Sequence, residues 1–104
     1  MKDEAFTVTE EKNPGASKFI VKGRVNVDTA DVLLFKLENA LKDGQINIIL
    51  NMAQVEYLSS IGIRVLLKMY KQALEIGGKF NIERPSENVK NVLGMSALDE
   101  MLVK

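Results

Sequence analysis

The chain contains no cysteine. That excludes a disulfide framework and any thiolate chemistry. It contains no histidine either, which removes the commonest general base and the commonest transition-metal ligand. An excess of one charge is also missing. Over 104 residues, 14 basic side chains cancel 14 acidic ones. Nothing electrostatic therefore points to nucleic acid or to an anionic membrane. No apolar run approaches the roughly 20 residues of a membrane-spanning helix. Met1-Lys2-Asp3-Glu4 lacks the apolar stretch of a signal peptide. A cytoplasmic protein is the simplest expectation, of a size that suits one compact domain.

Signatures of catalysis are equally sparse. There is no Gly-rich loop ending in Lys-Ser/Thr and no dinucleotide fingerprint. Gly77-Gly78 ends a helical pattern rather than opening one, so it makes a poor phosphate cradle. Acidic residues are scattered, without metal-ligand spacing. The sequence implies no cofactor, no metal and no enzyme.

What is present is an alternation of strand and helix patterns. Ala5 to Glu10 alternates weakly, with Phe6 and Val8 on one side. Asn13-Pro14-Gly15 signals a turn, and Ser17 to Arg24 returns as a second strand with Phe19 and Val21 on one face. The pair reads as an antiparallel hairpin whose loop is somewhat longer than the tightest kind. Gly23 to Ala30 connects to a helix that Asp28 or Thr29 can cap and that runs to about Asp43. Its core stripe is Ala30, Leu33, Leu34, Leu37 and Leu41, leaving Val32 and Phe35 on the other side, near Asn39.

Gln45 to Met52 is the most strand-like stretch. Its run of Ile46, Ile48, Ile49 and Leu50 suggests a strand covered on both faces. Ala53 to Leu58 then leads into Ser59-Ser60. A second helix follows from about Ile61 to Ile76. Ile63, Leu66, Leu67, Tyr70 and Leu74 are its expected core stripe, and Arg64, Lys68, Lys71 and Glu75 its solvent face. Ile61, Val65, Met69 and Ile76 form a further apolar strip, to be covered by the same domain or by a partner. Lys79 to Glu83 is a short strand. Ser86 caps a last helix carrying Val89, Val92 and Leu93, which Gly94 interrupts. Ser96-Ala97-Leu98-Asp99 can start one more turn. The order β-β-α-β-α-β-α argues for an α/β domain, a mixed sheet with an N-terminal antiparallel hairpin and helices packed over it.

The organising stretch is Tyr57 to Leu67, where the strand gives way to the second helix through two serines. A serine at that junction is a natural N-cap. A helix N-terminus also favours an anion, so the same position suits a phosphate on a serine hydroxyl. Both roles are open there, and residue chemistry alone favours the cap.

Leu58-Ser59-Ser60-Ile61-Gly62-Ile63-Arg64-Val65-Leu66-Leu67 resembles the signature of STAS domains, the family of bacterial anti-sigma-factor antagonists. The resemblance covers the whole chain, residues 1–104, as one STAS-like domain. Gly23 to Ala30 resembles the family's loop before the first helix, Ile49-Leu50-Asn51-Met52 the third strand, and Ile76-Gly77-Gly78 the exit of the second helix. Val92 to Leu98 resembles the C-terminal segment. The resemblance implies a partner that is both anti-sigma factor and serine kinase, and a serine phosphatase that reverses the modification. It places the phosphoserine at Ser60, with Ser59 as second choice, and shifts the reading of Ser60 from cap to phosphosite. Asn26, Ser59, Ser60, Ile61, Val65 and Met69 become the expected partner-binding residues.

Two acidic positions of the family pattern are neutral here, as Ser59 and Asn26. This keeps an alternative in view, a STAS component of a transporter or signalling scaffold without serine phosphorylation. A small nucleotide hydrolase is a third reading, without a catalytic group set to support it. No nucleic acid and no membrane insertion are expected, and the chain suits a monomer or weak dimer.

Overall fold

The computed structural model describes residues 6–95 and 97–103. Met1 to Ala5 and Ser96, which the sequence reading included, lie outside them. The elements are β1 (Thr7–Asn13), β2 (Ala16–Val25), α1 (Ala30–Lys42), β3 (Asn47–Leu58), α2 (Ser60–Glu75), β4 (Lys79–Glu83), α3 (Glu87–Met95) and the short α4 (Asp99–Leu102). The expected α/β order holds, with the last helical region split in two. α3 runs through Gly94 and ends one residue later, at Met95.

β1 and β2 are antiparallel, and the hairpin is tighter than expected. Asn13 pairs with Ala16, so only Pro14 and Gly15 form the loop. β2, β3 and β4 are parallel, and the strands lie in the order β1-β2-β3-β4. This order corrects the expectation that β3 is covered on both faces. The crossovers through α1 and α2 step in the same direction along the sheet. With the usual right-handed connection, both helices land on one face. The buried residues are accordingly Phe19, Val21 and Val25 of β2, Ile48, Leu50 and Met52 of β3, and Phe80 and Ile82 of β4. The other face is open, with Lys22 and Arg24 exposed and Ile20 and Ile49 half-buried.

β3 is 12 residues long, well past Met52 where its pattern seemed to end. The register against β2 shifts between Ile20 and Lys22 and again between Gly23 and Arg24. Each irregularity places an extra residue in β3, so Met52, Val55 and Leu58 are buried at a spacing of three rather than two.

α1 buries Ala30, Leu33, Leu37 and Ala40, while Leu34 and Leu41 are half-buried. Val32 and Phe35 are exposed as expected, Phe35 at 66%. α2 departs more from expectation. It buries Gly62, Val65, Leu66, Met69 and Ala73, and Leu74 is 52% exposed. Val65 and Met69, at 5% and 0% exposure, belong to the core and form no partner strip. Gly62 explains the choice of face. A Cβ there would lie 2.6 Å from Leu58 Cδ1 and 2.8 Å from Val25 Cγ1. Only a bare glycine lets the helix approach the strand ends this closely, and this close approach fixes which residues turn inward.

Candidate functional site

β2 and β3 end side by side, and the candidate residues stand on the loops that leave them. The Ser59 N–H donates to the Val25 carbonyl at 2.9 Å, tying the serine turn to the last residue of β2. Beyond the short β4, which ends at Glu83 opposite Asn51, the tail of β3 is held by the start of α3. The Ser86 hydroxyl donates to Val55 O at 2.7 Å and accepts from the Val89 N–H at 3.2 Å, so Ser86 caps α3 as expected.

The two serines have different work. Ser59 is the N-cap of α2, in extended backbone with φ −83° and ψ 172°. Its hydroxyl accepts from the Gly62 N–H at 3.2 Å, and its carbonyl accepts from the Ile63 N–H at 3.0 Å. Its side chain is half-buried. Ser60 is the first residue of the helix and is exposed. Ile61 beside it is exposed at 38%. Ser60 is thus the exposed serine of the two, while the hydroxyl of Ser59 is engaged in the cap. Ser59→Ala is expected to cost about 1 kcal/mol through loss of the cap. Ser60→Ala is expected to stay within about 0.5 kcal/mol of the parent. Denaturant midpoints of the two variants test the division.

Asn26 occupies the matching place after β2. Its Oδ1 accepts from the N–H groups of Asp28 at 2.9 Å and Thr29 at 3.2 Å, and its carbonyl accepts from the Ala30 N–H at 2.9 Å. This changes the expected capping of α1. Thr29 sits at the N-cap position but makes no side-chain cap bond. Its hydroxyl instead donates to Arg24 O at 2.6 Å and accepts from the Asn26 N–H at 2.9 Å. The amide oxygen of Asn26 shapes the loop by accepting bonds, a task that needs no negative charge. The Ser59–Val25 bond sets the Asn26 loop beside the turn that carries Ser59, Ser60 and Ile61, whereas Val65 and Met69 are buried in the core.

Val27 was not singled out by sequence reasoning, yet it is 65% exposed next to Asn26. An apolar residue between Asn26 and Asp28 in a polar turn was the available signal. On the open face, Arg24 stacks over the ring of Tyr57, 4.6 Å from its centroid, just before the two loops. Among the described residues no group of three or more acidic side chains comes together as a metal site would require. No helix among them is long and apolar enough to cross a membrane. A depression of about 410 Å³ lies at the far end of α2, between Glu38, Leu41 and Lys42 of α1 and Gln72, Glu75 and Ile76.

The sequence model of the STAS domain matches residues 7–104. The chain belongs to the STAS domain family. Among its relatives is BtrV of Bordetella bronchiseptica, provisionally named an anti-sigma factor antagonist. It is 27% identical over 89 residues, covering 86% of this chain and 77% of the relative. A Thermotoga neapolitana protein, also provisionally named an anti-sigma factor antagonist, is 30% identical over 81 residues, covering 75% and 70%. In three dimensions the STAS domain resembles the anti-sigma factor antagonist SpoIIAA in its unphosphorylated form. The TM-score is 0.81 at 19% identity, over 95% of this chain and 86% of that one. The structure of Bacillus SpoIIAA in its phosphorylated form matches with a TM-score of 0.75 at 18% identity, over 95% and 89%. These structures establish the shared fold.

Proposed function

We propose that this STAS domain is an anti-sigma-factor antagonist of the cytoplasm, switched by phosphorylation of Ser60. It binds an anti-sigma factor that is also a serine kinase, through the surface of Asn26, Val27, Ser59, Ser60 and Ile61. The kinase transfers the γ-phosphoryl group of ATP to Ser60 Oγ, releasing ADP and the hydroxyl proton, and a serine phosphatase hydrolyses the ester. The observation that carries this reading is the exposed Ser60 at the head of α2, beside a serine already used as the cap. The names of the relatives support it. The group set supports binding rather than catalysis, because neither serine has a histidine to activate it.

The switch follows from charge. A phosphate adds about −1.5 to −2 at neutral pH. Within an interface that charge meets desolvation and like-charge costs unless a cation of the partner faces it. A coupling of this kind is expected to weaken partner binding about 5–150-fold. Ser60→Asp should reproduce part of the loss, and Ser60→Ala should bind without being modified.

The test is an intact-mass spectrum of the protein isolated from its own cells, with fragment mapping and a Ser60→Ala control. One added phosphate on Ser60, absent from the control, is the expected result. Unmodified protein under all growth and stress conditions would overturn the switch and favour the scaffold or transporter role. The neutral side chains at Asn26 and Ser59 are the feature that keeps that role in view.

A further inference from the structure

We infer that Arg64 receives the phosphate of phosphorylated Ser60, so that modification closes an ion pair within α2 and withdraws the Arg64 charge from the surface offered to a partner. The inference rests on the reading of Ser60 as the modified residue. Side chains four apart on a helix lie on the same face, one turn above the other. Ser60 and Arg64 stand in that relation on α2, and both are exposed.

The surroundings of Arg64 leave that slot open. Its helix neighbours at three and four residues are Ser60, Ile61, Leu67 and Lys68, and none is acidic. Lys68, one turn further on, has a carboxylate on α1, with its Nζ 3.7 Å from Glu38 Oε2. Among the described residues no ion pair is formed by Arg64. Of its four helix neighbours only Ser60 carries a hydroxyl that modification makes anionic. The direction is also the favourable one, with the anion N-terminal to the cation. A guanidinium presents paired N–H groups that match two phosphate oxygens. Ser59 has no such receiver, since Gly62 and Ile63 stand three and four residues beyond it. The pair therefore suits one serine of the two, and that serine is the accessible one.

The consequence for the switch is specific. Before modification Arg64, exposed on α2 and with no carboxylate partner among the described residues, is available to an acidic group of the partner. After modification it is engaged within its own helix. The phosphate therefore removes an attractive charge besides adding a repulsive one.

The experiment installs phosphoserine at position 60 during translation, so that no kinase is needed. Thermal unfolding at low salt is measured for the unmodified and phosphorylated chain, each with Arg64 and with Arg64→Gln. The N–H groups at the helix start act on the phosphate in both backgrounds, so the difference between backgrounds isolates the arginine. Phosphorylation is expected to raise Tm by about 2–4 °C more with Arg64 than with Arg64→Gln. Arg64→Lys should keep part of that excess, and about 1 M salt should largely remove it. An equal phosphate effect in both backgrounds, or an excess indifferent to salt, would overturn the inference. That result would leave the kinase reading standing. Conversely, absence of phosphate on Ser60 in cells would overturn the kinase reading while this cycle still reports on the pair.

Discussion

Gln45→Ala is expected to lower stability by about 2–4 kcal/mol, seen as a fall in Tm of about 10–25 °C. Gln45 lies between α1 and β3 and is only 6% exposed. Its amide nitrogen shares its two hydrogens among three acceptors, Asn13 O at 2.6 Å, Ala16 O at 2.8 Å and Ser17 Oγ at 2.8 Å. Its Oε1 accepts from the Gly15 N–H at 3.2 Å. One side chain thus closes the hairpin turn of β1 and β2 onto the start of β3. Ser17, itself buried, passes the network on by donating to Glu10 Oε2 at 2.7 Å. Alanine strips four groups of a partner at once, and for the buried Ser17 hydroxyl the loss costs more than the bond it made. Gln45→Glu sharpens the test. It keeps the shape but turns three acceptors toward a carboxylate, so the native state holds that carboxyl protonated above its ordinary range. A group with a raised native pKa is harmless below its unfolded value of about 4.3 and costs stability as pH rises above it. The Glu variant should therefore recover in mild acid, whereas the Ala variant should not.

Gly78→Ala is the second large effect, expected at about 3 kcal/mol or more, as for overpacking against an element that cannot move aside. A Cβ on Gly78 would lie 2.0 Å from the carbonyl oxygen of Ile46 and 2.8 Å from its carbon. That carbonyl is held in place, because it accepts the Lys79 N–H at 2.9 Å where β4 starts along β3. The Gly78 N–H meanwhile donates to Ala73 O at 2.8 Å at the end of α2. The clash is with the Ile46 backbone alongside a tight reversal, so relief requires β4 to shift. Gly94 supplies the control. It lies within α3, exposed, and a Cβ there meets nothing within 4 Å. Gly94→Ala should leave stability unchanged or raise it by about 0.5–1 kcal/mol. Denaturant unfolding of the two variants side by side reads the contrast. A loss below about 1 kcal/mol for Gly78→Ala would show that the reversal yields.

These residues also mark how far the sequence could be read. β4 was legible to the residue because Phe80 and Ile82 alternate cleanly and Gly77-Gly78 punctuates its start. The serine pair was legible because capping chemistry is local. The tail of β3 was not, since the two irregularities replace a period of two with a spacing of three between Met52, Val55 and Leu58. The phase of α2 was misjudged for a different reason. Apolar residues occupy so wide an arc that periodicity permits more than one core face. The small residues decide it. Gly62 and Ala73 share the face that meets the sheet, and with them go Val65, Leu66 and Met69. Covering of the sheet on one side depends on the direction of both crossovers, which is a property of the topology and not of any one segment. The role of Asn26 was visible in the sequence only as a departure from a family acid. Its hydrogen bonds reveal a loop-forming acceptor for which charge is dispensable.

The register of β2 against β3 has a consequence for how such a site can change. Ala16 faces Asn47, an offset of 31, whereas Val25 faces Leu58, an offset of 33. Two residues of β3 act as a spacer that brings Ser59 level with the end of β2. Removing one would slide the serine turn about 3.3 Å along the neighbouring strand, away from the Asn26 loop, without touching any residue of either loop. The alignment of the two loops is thus written in segment length as well as in side-chain identity. Insertions and deletions in the tail of β3 are a route by which a lineage could detune the site while every serine stays in place.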